Sequence, residues 1–318
     1  MKHFSLIFSL VFFSFLLTQA QVEYPYPVQK MAFTIEGQAV QMAFMDIKSE
    51  KPSGKTILLL HGKNFNGYYW KNVVPFLTRA GYRVIVPDQL GWGESSRANI
   101  HYSFHLLAAN TKKLLDTLGI SQTVVLGHSM GGMLATRFSL MYPQVVEKLI
   151  LENPIGLEDY KTFVPYQPLS KLVAKEAAAT YESYKKYQQS YYPVWKPEYE
   201  QYVQAQAADL SRKDVDSIAL VNALTYQLIY EQPVCYEFNR LKMPALLIIG
   251  AADRTVVGKD QLTEAQKKIY GQYPSLARKT QQAIKGSQLK LLPGVGHIPH
   301  VQAPEAFEKI VLHFLGNN

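Results

Sequence analysis

Ser129 lies in Gly127-His128-Ser129-Met130-Gly131-Gly132, directly after the short apolar run Val124 to Leu126 and before a helical stretch that reaches Met141. In G-x-S-x-G at a strand-to-helix turn the glycines relieve crowding, and a strained serine is lifted to the carboxyl edge of a sheet as a nucleophile. The helix that follows aims the Met130 N–H where negative charge develops during attack on a carbonyl. A serine hydroxyl is a weak nucleophile alone, so it needs a base, and that base needs an orienting partner.

In the chain order serine, acid, histidine, both partners lie downstream. His297, in Gly294-Val295-Gly296-His297, follows the last apolar run, and its glycines let a loop fold back over the site; His300 is its rival. Asp253 lies just beyond the run Ala245 to Gly250, at the same edge as Ser129. There it would accept the imidazole N–H, fix the tautomer and stabilise the imidazolium. Glu152 and Asp159 are alternative acids, each requiring a site built from a different strand. His61-Gly62-Lys63-Asn64-Phe65 follows the run Thr56 to Leu60, and the Lys63 amide is the natural second oxyanion donor. The Lys63 side chain either runs out to solvent or turns into the pocket, where it would favour an anionic substrate.

The elements that must position these residues alternate in type. Residues 31 to 47 alternate apolar and polar around Glu36-Gly37, which predicts a hairpin. Buried-strand runs then recur at 56–60, 82–87, 124–126, 148–152, 245–250 and 289–292. Helical spacing is read at 68–80, 101–118, up to 141, near 259–270 and at 304–315. Apolar strands alternating with helices of this length predict a parallel, doubly wound sheet. From about Gly156 to Cys235 the rhythm breaks into helical stretches such as 169–189 and 198–210, and 12 of the 21 tyrosines fall between Tyr160 and Tyr236. One α/β domain interrupted by a helical insertion explains this pattern better than two tandem domains.

Composition narrows the functional classes. The 318 residues are 47% hydrophobic and 18% charged, an ordinary globular balance. The net charge of +8 comes without a clustered basic stretch. Arg278, Lys279, Lys285 and Lys290 are spaced out with no interleaved aromatics, so a solvated face is expected there and nucleic acid is not an expected partner. The single cysteine, Cys235, excludes an intrachain disulfide and a cysteine-rich metal site. No metal is expected, since the histidines show no ligand spacing, and no cofactor is expected. Met1-Lys2-His3, the almost unbroken apolar run Phe4 to Leu17 and Thr18-Gln19-Ala20 read as a secretory signal peptide over residues 1–20, cleaved after Ala20. That run is shorter than the ~20 residues needed to span hydrocarbon, so a secreted or periplasmic protein without a stable membrane anchor is expected.

His61-Gly62, Asp88 with Gly91-Trp92-Gly93-Glu94-Ser95, the elbow Gly127 to Gly132, Asp253 and His297 occur in the order and approximate spacing of the α/β-hydrolase superfamily, which the chain resembles over nearly its whole mature length. The resemblance implies an eight-stranded, mostly parallel sheet with helices on both faces. It also implies a Ser129–His297–Asp253 triad, an oxyanion hole from the Lys63 and Met130 amides, and a helical cap between strands six and seven. In such proteins Asp88 and Glu94 support their loop and do no chemistry. On this reading residues 21–155 and 236–318 form the core and 156–235 the cap. Ser129 speaks against haloalkane dehalogenases and epoxide hydrolases, which place aspartate at the elbow. Gly-His-Ser-Met-Gly-Gly resembles the elbows of carboxylesterases and carbon–carbon bond hydrolases, and not the Gly-Gly-Ser-Trp-Gly-Gly of proline iminopeptidases. The expected activity is carboxylic-ester hydrolysis, with carbon–carbon or amide hydrolysis and a catalytically silent binding protein as alternatives. The tyrosine-rich cap, with Trp195, is expected to shape a pocket for a small-molecule ester with an apolar or aromatic part.

Overall fold

The computed structural model describes residues 23–316. The signal-peptide expectation falls on residues 1–20 and lies outside them. A hairpin opens the fold, β1 (Val28–Ile35) and β2 (Gln38–Ile47), turning through Glu36 and Gly37, both at positive φ. That is the backbone a tight two-residue hairpin turn requires. There follow β3 (Thr56–Leu60), α1 (Val74–Arg79), β4 (Arg83–Pro87), α2 (Phe104–Thr117), β5 (Thr123–His128), α3 (Met130–Met141) and β6 (Val146–Glu152).

Between β6 and the next strand come α4 (Leu169–Ala177), α5 (Tyr181–Gln189), α6 (Glu200–Ala207) and α7 (Val215–Glu231), with short 3-10 turns and, among the described residues, no strand. The chain returns to β7 (Ala245–Gly250), α8 (Glu264–Ile269), α9 (Tyr273–Ala283), β8 (Gln288–Leu292), α10 (Pro299–Gln302) and α11 (Pro304–Leu315).

The eight strands form one sheet in the order β1-β2-β4-β3-β5-β6-β7-β8. β1 and β2 are antiparallel, as are β2 and β4, and every later pairing is parallel. β3 and β7 are buried at every position. Period-2 alternation divides their side chains between the two faces. Leu58 and Leu60 pack with Leu107, Leu134 and Phe138 of α2 and α3, whereas Ile57 and Leu59 pack with Leu77, Phe307 and Val311 of α1 and α11. Helices therefore cover both faces, and among the described residues none is long and apolar enough to cross a membrane.

Some expected helices break. Residues 68–80 hold a 3-10 turn, Gly67–Trp70, and the short α1. The stretch 169–189 divides into α4 and α5, because Thr180 and Ser183 form a capping box that starts a new helix. Arg278, Lys279, Lys285 and Lys290 are exposed, the first two on α9, as a solvated face would have them.

Candidate active site

The functional loops each leave the sheet at the carboxyl end of a parallel strand, so strand direction alone gathers them on one edge. β5 runs into Ser129, whose φ of 57° and ψ of −121° lie in a region that residues with a side chain avoid. The close packing explains the flanking glycines. A Cβ on Gly127 would lie 2.2 Å from the Gly131 carbonyl oxygen, and one on Gly131 only 2.1 Å from that of Leu60. The Ser129 N–H donates to the Glu152 carbonyl at 3.1 Å, and its own carbonyl accepts from Gly132 at 2.9 Å.

His297 Nε2 stands 2.9 Å from Ser129 Oγ, and His297 Nδ1 stands 2.7 Å from Asp253 Oδ2. An ionised carboxylate only accepts, so Nδ1 carries the proton and Nε2 is free to take one from the serine. Asp253 also accepts from the Thr255 N–H at 2.8 Å and from Asn153 Nδ2 at 2.8 Å. Burial alone would raise the Asp253 pKa, but the His297 charge and these three hydrogen bonds outweigh it and hold the group below the usual carboxylate value.

Asn153 carried no sequence signal beyond its place after β6. Its backbone is left-handed, with φ 35°, and its Oδ1 accepts from the Gly250 N–H at 2.8 Å, so one side chain joins the ends of β6 and β7. Tyr191, in the insertion, was likewise unread. Its ring stacks on His297 with centroids 4.7 Å apart, and its carbonyl accepts the His297 N–H at 2.8 Å.

The rivals have other employment. Glu152 accepts from His300 at both the backbone N–H, 2.8 Å, and Nδ1, 2.9 Å, making a second carboxylate–imidazole pair that is wholly buried. Asp159 accepts from Lys161 N–H and the Tyr236 hydroxyl. Asp88 accepts from Gly67 N–H, Glu94 N–H and the Tyr24 hydroxyl; burial raises its pKa to about 6 despite these donors.

On the oxyanion side, Gly62 packs so closely on the nucleophile that a Cβ there would lie 3.0 Å from Ser129 Cβ. Trp92 Nε1 donates to the Lys63 carbonyl. Among the described residues neither the Lys63 nor the Met130 amide donates to a protein acceptor. The Lys63 side chain does not run out to solvent: its Nζ lies 3.7 Å from Glu176 on α4. Ser129 is 6% exposed and His297 not at all. A cavity of about 30 Å³ adjoins the Lys63 loop, lined by Lys63, Asn64, Trp92, Tyr184, Tyr202 and Asn222 among others, with none of the triad side chains in its lining. It has room for water and none for a substrate. Trp195 packs against Tyr192 and Tyr199 inside the insertion rather than on this cavity.

The profile of the alpha/beta hydrolase fold matches residues 55–304. A 2-hydroxy-6-oxononadienedioate/2-hydroxy-6-oxononatrienedioate hydrolase of Paraburkholderia phymatum is 29% identical over 268 residues, which are 82% of this chain and 87% of that one. A crystal structure of a probable hydrolytic enzyme from Pseudomonas aeruginosa PAO1 superposes with a TM-score of 0.91 at 43% identity, covering 94% of this chain and 99% of that one. The enol-lactonase from Burkholderia xenovorans LB400 shares the fold, with a TM-score of 0.68 at 21% identity over 90% of this chain and all (100%) of that one.

Proposed function

From the premise that the chain belongs to the alpha/beta hydrolase fold family and is a hydrolase of that fold, we propose that it is an exported serine hydrolase that cleaves carboxylic esters through an acyl-enzyme. The observation that carries this reading is the buried chain Ser129 Oγ, His297 and Asp253, with separations of 2.9 and 2.7 Å and the serine held at positive φ.

Ser129 Oγ attacks the ester carbonyl as His297 Nε2 takes its proton, and Asp253 stabilises the imidazolium. The Lys63 and Met130 amides stabilise the oxyanion, a contribution of about 2.7–4 kcal/mol per donor to the barrier. His297 then returns the proton to the leaving alcohol, and water repeats the sequence on the acyl-enzyme. The substrate of this reading is a small-molecule ester with an apolar or aromatic part, in keeping with Trp92, Tyr184 and Tyr202 around the small cavity next to the Lys63 loop, which must widen to admit it. The signal-peptide pattern over residues 1–20 supports export, with no stable membrane anchor after cleavage at Ala20.

A second reading, carbon–carbon bond hydrolysis with the same triad, is supported by the name of the Paraburkholderia phymatum relative. A fluorophosphonate probe tests the first. The full-length protein is expected to be labelled at Ser129 and Ser129→Ala to be silent; a folded wild type that stays unlabelled sinks the proposal. Turnover of p-nitrophenyl esters, set against a vinylogous diketone acid, then separates ester from carbon–carbon cleavage.

A further inference from the structure

We propose that His128, the residue before the nucleophile, is a positioning residue that ties the loop of the base to the loop of the oxyanion hole through a neutral imidazole of one fixed tautomer. The inference rests on the serine-hydrolase reading above. His128 is fully buried. Its Nε2 lies 2.9 Å from the His297 carbonyl oxygen, which only accepts, so Nε2 carries the proton. Its Nδ1 lies 3.0 Å from Tyr69 Oη and therefore accepts from that hydroxyl. Tyr69 Oη in turn accepts from the Gly62 N–H at 3.1 Å.

Every hydrogen in this chain then has one direction: Gly62 N–H to Tyr69, Tyr69 O–H to His128, and His128 N–H to His297. Its two ends are the backbones that matter, Gly62 next to the Lys63 amide and His297 itself. Among the described residues no direct hydrogen bond joins those two loops, so the elbow's own histidine is their shared reference. A second proton would turn Nδ1 from an acceptor into a donor facing another donor. Burial, with the imidazoles of His297 and His300 nearby, keeps that proton off. The Tyr69 ring is fixed by stacking on Phe65 at 4.6 Å and by the edge contact with His300 at 4.8 Å.

Two substitutions separate the arms, because glutamine places an amide N–H near the Nε2 position and asparagine an acceptor near Nδ1. In the full-length protein, His128→Asn frees the base loop and is expected to lower both kcat on p-nitrophenyl acetate and fluorophosphonate labelling by about 100-fold, with KM within about threefold. His128→Gln restores about tenfold of that loss, and Tyr69→Phe matches it, since both cut the same arm. Combining Tyr69→Phe with His128→Gln adds no more than about twofold, because the two changes are not independent. Labelling of His128→Asn at the wild-type rate, equal loss in the Asn and Gln variants, or multiplying losses in the double variant overturns the inference while leaving the triad reading intact. An unlabelled wild type overturns both. If His128→Asn does not fold, the ¹⁵N spectrum of the histidine side chains in the wild type decides. An Nε2–H neutral imidazole for His128 at pH 7 upholds the arrangement, and an Nδ1–H or doubly protonated ring removes it.

Discussion

The sheet and the insertion bury their residues in opposite ways. β3 and β7 are apolar on both faces, so chemistry is confined to the loops at their ends, where the spacing of strands sets the distances. The insertion buries tyrosines, among them Tyr191, Tyr192, Tyr199 and Tyr202, and α5 has only Gln188 fully buried. It joins the core through polar ties, such as Arg97 to Asp209 at 2.9 Å, Asn64 to Tyr191 at 2.8 Å and Lys63 to Glu176 at 3.7 Å, and through apolar side chains, such as Val221, Leu228 and Tyr191, that share the two core clusters with the sheet. The sheet edge thus fixes the reacting groups through strand spacing, and the insertion meets that edge through aromatic and polar side chains, Tyr191 on His297 among them.

The largest test breaks the sheet edge. Asp253→Asn keeps the side chain's size but removes the acceptor that sets the His297 tautomer, so kcat is expected to fall about 10⁴-fold in a protein that still folds, with a lower melting temperature because an amide N–H then faces one of the three donors. Turnover within tenfold of wild type, measured by steady-state kinetics, would give the acid's role to another carboxylate.

Acidification acts on the same edge through buried groups of opposite sign. Burial lowers the His61 pKa from 6.5 to about 4, so its contribution is fully present above about pH 6.5 and lost as pH falls to about 4, about 3 kcal/mol in all. Burial raises the Asp88 carboxyl from 3.8 to about 6, so the folded state gains a similar amount as pH falls through that window, and the two nearly cancel. His128, also pushed down by burial, has no such offset and leaves a net loss. The urea midpoint is expected to be lower at pH 5 than at pH 7, with a smaller drop in His128→Gln; an equal drop would place the cause elsewhere.

The insertion can be weakened by itself. The Arg97 side chain is only 1% exposed and faces Asp209, whose carboxyl burial pushes up. Arg97→Met removes that charge's nearer partner and leaves only Arg212 at 3.9 Å, and about 2 kcal/mol of stability is expected to be lost. Hydrogen exchange should show α6 and α7 opening before the sheet; uniform loss of protection would mean that core and insertion unfold as one unit. The smallest effect belongs to Glu176→Gln, which removes a partly exposed ion pair worth about 0.5 kcal/mol. Faster fluorophosphonate labelling of Ser129 is expected, and slower labelling would show that this tie does not restrain access.

The same contrast governs what could be read from the residues. Thr56–Leu60 and Ala245–Gly250 stand in the structure as the strands their unbroken apolar runs predict. The loops carrying Ser129, Asp253 and His297 are marked by glycines at their close approaches. The insertion lacks such marks. α7, with 17 residues, buries Ile218, Ala219, Val221, Ala223, Thr225, Leu228, Ile229 and Tyr230 on several sides and so shows no single stripe. Asn153, Tyr191 and His128 were invisible as site residues because each acts through a contact made only in three dimensions, across 44 to 169 positions of chain in the case of the His297 bonds.

The bond from His297 N–H to the Tyr191 carbonyl bears on protein engineering. The two segments run so close that a side chain at position 296 would begin 2.1 Å from that carbonyl oxygen. Part of the insertion is thus the seat of the base. A chimera that replaced the whole insertion to change substrate range would unseat His297, so graft junctions have to fall inside it, leaving the Tyr191 segment with the core and exchanging the helices around it.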